Sequence, residues 1–166
     1  MKNIFRFNTH ELPRRAGEMR EYHLELDLPA NIGIDVIAVP KGILHLDLRI
    51  ESVSEGVLAT GKFSTLARGE CIRCLDPIEL KLDKEFQELY AYKSEDEDQL
   101  LMEGDEINLE LPIRDAIVLS LPINPVCSDD CEGLCQVCGV KWSELPDDHA
   151  HEVSDSRWSA LKEWKN

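Results

Sequence analysis

Six cysteines fall into three pairs along this chain, and their spacing is its main chemical signal. Two residues separate the thiols in Cys71-Ile-Arg-Cys74 and in Cys135-Gln-Val-Cys138, and three separate Cys127 from Cys131. Zn²⁺ takes four tetrahedral nitrogen or sulfur ligands. A C-x2-C turn delivers two thiolates to adjacent corners while its backbone N–H groups point at sulfur. Gly139, directly after Cys138, suits the left-handed turn that such a knuckle uses. His149 and His151 stand two apart, so in an extended segment they share a face and form a fourth pair.

Eight donors make two tetrahedral sites. The favoured division places Cys71, Cys74, Cys127 and Cys131 in one. Cys135, Cys138, His149 and His151 then form the other, with a ten-residue spacer close to that of small zinc fingers. Two other divisions stay open: one compact site of Cys127, Cys131, Cys135 and Cys138, or a ribbon joining Cys71 and Cys74 to Cys135 and Cys138. The expectation is two Zn²⁺ ions in structural roles, because a full ligand supply leaves no open position for catalysis. His10, His23 and His45 read as ordinary surface histidines.

Other chemistries fit less well. A thiol oxidoreductase sets C-x2-C at a helix N-terminus after a strand, where the dipole lowers the thiol pKa, and neither pair has that context. No GxSxG, P-loop, GxGxxG or HExxH pattern is present, so nothing supports hydrolase, nucleotide or metalloprotease chemistry. A DNA-reading knuckle needs a basic helix, and Arg157, Lys162 and Lys165 sit in a strongly acidic segment. The reading is a non-catalytic binding protein, with a thiol redox protein or a zinc-containing regulator as alternatives.

The elements that must hold these ligands follow from periodicity. Tyr22, Leu24, Leu26 and Leu28 alternate with polar residues, as do Leu44, Leu46, Leu48 and Ile50, the stretch from Val57 to Ala67, and Ile78, Leu80 and Leu82. Ile107, Leu109 and Leu111 read as one more strand. Short turns between them predict an antiparallel meander. Pro112 opens a predicted helix near 112–121, with Ile113, Ala116, Ile117, Ser120 and Leu121 at helical spacing until Pro122, to lie across the apolar sheet face. Ser94 to Glu106 reads as a mobile acidic loop. A last helix opens after Asp155 with Trp158, Leu161 and Trp164 on its packing face, and Trp142 is expected beside the cysteines. The fold class is therefore α+β, mainly an antiparallel β meander with a packed helix and a C-terminal zinc-knuckle segment. The expected division is a β-rich domain over 1–126 and a cysteine/histidine metal-binding segment with terminal helix over 127–166.

At 166 residues the chain can bury a core of its own. Its N-terminus lacks the apolar run of a signal peptide, and no stretch is long and apolar enough for a bilayer, so a soluble, cytoplasmic protein is expected. In a reducing compartment clustered cysteines are metal ligands sooner than disulfides. The net charge of -15 is uneven. Residues 1–94 hold 13 Lys and Arg against 15 Asp and Glu, whereas residues 95–166 hold 5 against 18. The second part would repel a phosphate backbone.

RGECIRCLDP (Arg68 to Pro77), LPINPVCSDDCEGLCQVCG and the closing DSRWSALKEW together resemble the YceD family, the large ribosomal RNA subunit accumulation proteins. The pattern carried by Arg68, Cys71, Arg73, Cys74 and Leu75, the cysteine run ending at Gly139, and the terminal D-x-R-W-x-x-L are its specific parts. Ser156 stands where members often have proline. The resemblance implies a bacterial cytoplasmic protein needed for normal amounts of large-subunit rRNA, with no catalytic step to transfer. Together with the charge it points to a ribosomal protein or a large-subunit assembly intermediate as partner. Direct rRNA contact would fall to Arg14, Arg15, Arg20, Arg68 and Arg73, although Arg68 and Arg73 serve equally well as flanks that offset thiolate charge.

Overall fold

The computed structural model describes residues 4–93, 99–151 and 157. In chain order its elements are β1 (Arg6–Asn8), β2 (Met19–Leu28), β3 (Ile32–Ile34), β4 (Ile37–Val39), β5 (Gly42–Ser52), β6 (Gly56–Glu70), β7 (Pro77–Ala91), β8 (Glu106–Asn108) and the helix α1 (Glu110–Val118). The alternating segments form an antiparallel sheet: β2 pairs β5, β5 pairs β6, and β6 pairs β7. Their inward residues, among them Leu26, Leu28, Leu44, Leu46, Leu48, Ile50, Phe63 and Leu82, make one continuous core. On the wet face His23 meets Asp47 at 2.6 Å and His45 meets Glu25 at 3.6 Å, and His10 is exposed.

β6 organises the sheet. It is fifteen residues long and β7 pairs with it over its whole length. On its other edge β5 covers only its first part, and the small β3–β4 hairpin follows, with Ile37 and Ala38 opposite Gly69 and Arg68. That hairpin interrupts the plain meander expected from the sequence. Gly69 admits it, since a Cβ there would lie 2.3 Å from the Val36 carbonyl oxygen. The far end of the β6–β7 hairpin thereby projects past β5 with β3–β4 beside it.

The helix begins at Glu110, two residues before the predicted start, and ends at Val118. Asn108 explains the shift, for its side-chain oxygen accepts the Glu110 N–H at 3.0 Å and starts the first turn there. Pro112 thus stands third in the helix, where its missing N–H still has no intrahelical partner to lose. Leu111, predicted in a strand, lies in α1 and is exposed. Ile113 and Ile117 are fully buried, and α1 packs on β7 and β3. The Asn108 carbonyl also accepts the Tyr90 hydroxyl at 2.6 Å, and desolvation by burial raises the Tyr90 pKa.

Of the acidic stretch predicted as a mobile loop, residues 94–98 lie outside the described residues. The remainder is held: Ala91 donates to the Leu100 carbonyl and Met102 donates to the Ala91 carbonyl, while Leu100 and Met102 pack on the core. These apolar residues outweigh the surrounding charge. β8 pairs β1, a strand the sequence reading did not contain. The helix expected after Asp155 also lies outside the described residues. Among those described, no helix is long and apolar enough to cross a membrane.

The close approach at Gly69 makes a direct test. Gly69→Ala should cost about 1–3 kcal/mol, because the clash is with backbone that cannot rotate away. Urea unfolding should show a lowered midpoint, with amide exchange raised first in residues 32–39; an unchanged midpoint would contradict the packing described.

Candidate metal centres

β6 and β7 stay paired down to Glu70 and Pro77, so the six residues Cys71 to Asp76 must close the hairpin. They do so as a knuckle: Cys71 N–H donates to the Asp76 carbonyl at 2.8 Å, Leu75 N–H to the Cys71 carbonyl at 2.9 Å, and Arg73 N–H to Cys71 Sγ at 3.4 Å. Residues Cys135 to Val140 repeat the backbone pattern. Cys135 N–H donates to Val140 and Gly139 N–H to Cys135, each at 2.8 Å, and the Leu134–Lys141 bridge closes this second turn. The residue after the second cysteine is left-handed in both, Gly139 at φ 72° and Leu75 at φ 63°. For leucine that conformation costs about 1–2 kcal/mol.

The chain brings the eight predicted donors together in two sets. Cys71, Cys74, Cys127 and Cys131 form one, and Cys135, Cys138, His149 and His151 the other, with the candidate ligand atoms of each set within 4.8 Å of one another. The single four-cysteine cluster of 127–138 and the ribbon pairing do not form. All six thiols are free. Cys71 and Cys131 sulfurs are 3.9 Å apart, and those of Cys74 and Cys127 3.6 Å. Tetrahedral zinc with Zn–S bonds near 2.3 Å requires sulfurs about 3.8 Å apart. Cys138 Sγ lies 3.6 Å from His149 Nε2, and His151 Nε2 is buried without a hydrogen-bond partner. An orphaned imidazole nitrogen beside two thiols is satisfied by a cation. Both sets can therefore hold a metal ion.

Their electrostatics agree. Desolvation opposes ionisation of Cys71 most strongly, yet the amides of Cys74, Arg73 and Cys127 bring its thiol down to about 6. The Asp76 amide pulls Cys74 down, but desolvation and the three neighbouring sulfurs push it up to about 12. In the second set the Cys138 and Val137 amides lower Cys135 to about 6. The knuckle amides thus prepare one thiolate in each set. Four thiolates packed this closely need a cation to coexist.

Four residues that the sequence reading left aside or assigned elsewhere dock the second turn on the first. The Arg73 guanidinium donates to the carbonyls of Cys131 at 2.9 Å and Asp129 at 3.2 Å. Lys141 reaches the Asp76 carboxylate at 2.7 Å, holding Asp76 below and Lys141 above their usual pKa values. Gly133, at φ 81°, passes so close that a Cβ would lie 2.9 Å from the Arg73 carbonyl oxygen. No spacing rule marks Asp76 or Lys141, whose partnership spans 65 residues. Trp142 stands beside the second set, its ring 5.6 Å from His149. Of the arginines named for RNA contact, Arg14 binds Asp105, Arg68 binds Glu79 and Arg73 is the clamp just described, while Arg15 and Arg20 are exposed.

This placement makes the two sets separable. In a Trp158→Phe/Trp164→Phe background, Cys135→Ser should shift Trp142 emission with little change in the unfolding midpoint. Cys71→Ser should lower the midpoint strongly, since a structural ligand lost at the hairpin end removes folding free energy there. Equal effects of the two on emission and midpoint would contradict the assignment.

Comparison with known proteins covers the same residues. The model of a family described as large ribosomal RNA subunit accumulation protein YceD matches residues 59–165, which include every donor in both sets. An uncharacterized protein of Mycobacterium tuberculosis, Rv2926c, is 46% identical over 160 residues, covering 92% of this chain and 77% of its own length. A second uncharacterized protein, ML1660 of Mycobacterium leprae, is 34% identical over 164 residues, covering 93% and 75%. No solved structure matches the chain significantly. On the family match and these relatives, the chain belongs to the YceD family of large ribosomal RNA subunit accumulation proteins.

Proposed function

We propose that this chain is a non-catalytic accessory factor in large-subunit rRNA accumulation, stabilised by two structural Zn²⁺ ions and acting in the cytoplasm by binding. Residues 1–126 serve as the β-rich scaffold and 127–166 as the metal-binding segment. Cys71, Cys74, Cys127 and Cys131 hold one ion, and Cys135, Cys138, His149 and His151 the other. The observation that carries the structural part is that each set is a complete four-donor shell, which favours scaffolding over reaction at the metal. Family membership supports the process. A redox role draws no support from the fold, because both C-x2-C pairs lie in turns and neither opens α1.

Charge governs the manner of binding. A chain of net charge -15 displaces few phosphate counterions, so naked RNA binds weakly and with steep salt dependence, with the exposed Arg15 and Arg20 among its contacts. A basic ribosomal protein, or an assembly intermediate presenting one, is attracted by the same charge.

Two measurements test this. Elemental analysis of protein purified without chelator should give close to two zinc ions per chain. One would remove the histidine site, and none would remove the metal reading. A deletion strain should contain less mature large-subunit rRNA relative to the small-subunit species, and an unchanged ratio would contradict the process.

A further inference from the structure

The two knuckles share a backbone pattern, and one of their sequence differences falls on the left-handed position. Where the second has Gly139, the first holds Leu75 at φ 63°. A leucine kept in the left-handed region is strained, and something elsewhere must offset that cost. Leu75 is 60% exposed, so burial within this chain offsets little of that strain. Glycine would serve the turn better, as it does in the sister knuckle.

What the leucine provides is a surface. It stands on a groove of about 420 Å³ between the first knuckle and the β3–β4 hairpin, lined also by Ile34, Val36 and Ile72. Val36 is 37% and Ile72 43% exposed, so the apolar lining is open to a partner. Asp35 and Glu70 stand on the same lining, both exposed, and the one cation among the described lining residues, Arg68, is taken by Glu79 at 2.8 Å. The groove is apolar within, acidic at its edges, and built against a rigid hairpin end.

We propose that this groove docks a basic protein segment: an extended Lys- or Arg-bearing stretch with one aliphatic or aromatic anchor. The anchor closes on Leu75 and Ile72, while the cations meet Asp35 and Glu70. The inference rests on the reading that the chain binds a basic large-subunit protein, and it names the surface used. An apolar anchor with charges around it gives affinity from the anchor and orientation from the charges. RNA phosphates would meet the two carboxylates and be repelled.

Leu75→Gly is the decisive variant, because it installs the residue that the sister turn already uses. Its zinc content should equal wild type and its melting temperature should be equal or higher. Basic proteins of the large subunit, purified singly and titrated calorimetrically, should include one that binds wild type. Leu75→Gly and Asp35→Lys/Glu70→Lys should each weaken that binding roughly tenfold or more, as loss of an anchor or reversal of its charge does. In the deletion strain, wild type should restore the rRNA ratio and Leu75→Gly should not. Restoration by Leu75→Gly would overturn the groove while leaving the process standing. A deletion without an rRNA defect would overturn the process, and the titrations alone would then judge the groove. A lowered melting temperature for Leu75→Gly, no binding by any of the proteins, or loss confined to naked rRNA would each overturn the proposal.

Discussion

Four thiols from chain positions 53 and 60 residues apart converge where the β6–β7 hairpin ends, and the segment from Pro125 to Lys141 is arranged around that meeting. The strands alone cannot bring Cys127 and Cys131 there. Loop closure over such a span is entropically costly, and hydrogen bonds such as Ile72 N–H to the Pro125 carbonyl, at 3.0 Å, contribute about 1 kcal/mol each. A divalent cation shared by four thiolates, as proposed above, would be strong enough to hold the junction. The sheet's part is to give it a rigid base. Fifteen paired residues on β6 and β7 deliver Cys71 and Cys74 to a fixed place, with both side chains buried.

The second set depends on the first. Its four donors lie within residues 135–151; Lys141 on Asp76 ties this segment to the first knuckle directly, and the chain leading into it is held there by Arg73 on the carbonyls of Asp129 and Cys131 and by Gly133 against the Arg73 backbone. A half-exposed ion pair such as Lys141–Asp76 contributes little by itself, about 0–1 kcal/mol. Its value here is geometric, since it fixes the angle at which one knuckle meets the other. Arg73 is the more consequential, because one guanidinium donating to two carbonyls fixes a plane as well as a distance.

Much of this was legible from residue order. Period-two alternation located β2, β5, β6 and the start of β7, because their inward residues all face one core. Cysteine spacing gave the knuckles because two-residue intervals leave few turn geometries. The failures have physical causes. β1 is three residues long and too short to show a period. The start of α1 was set by the Asn108 side chain rather than by Pro112. The insertion of β3–β4 along β6 depended on the missing side chain at Gly69. Leu75 stood out only as a member of the family pattern, with nothing in residue order to mark its backbone. Its left-handed backbone becomes visible only when the first knuckle is laid against the second, where glycine holds the same place.

The central claim is that two metal ions are bound by these two sets, one of four thiolates and one of two thiolates with two imidazoles. Zinc K-edge X-ray absorption on the purified protein tests it directly. The account predicts an average first shell of three sulfurs and one nitrogen, becoming four sulfurs in a Cys135→Ser/Cys138→Ser variant that retains a single ion. A four-sulfur shell in the wild-type protein, or a variant that keeps nitrogen in its shell, would contradict the division of ligands on which the account rests.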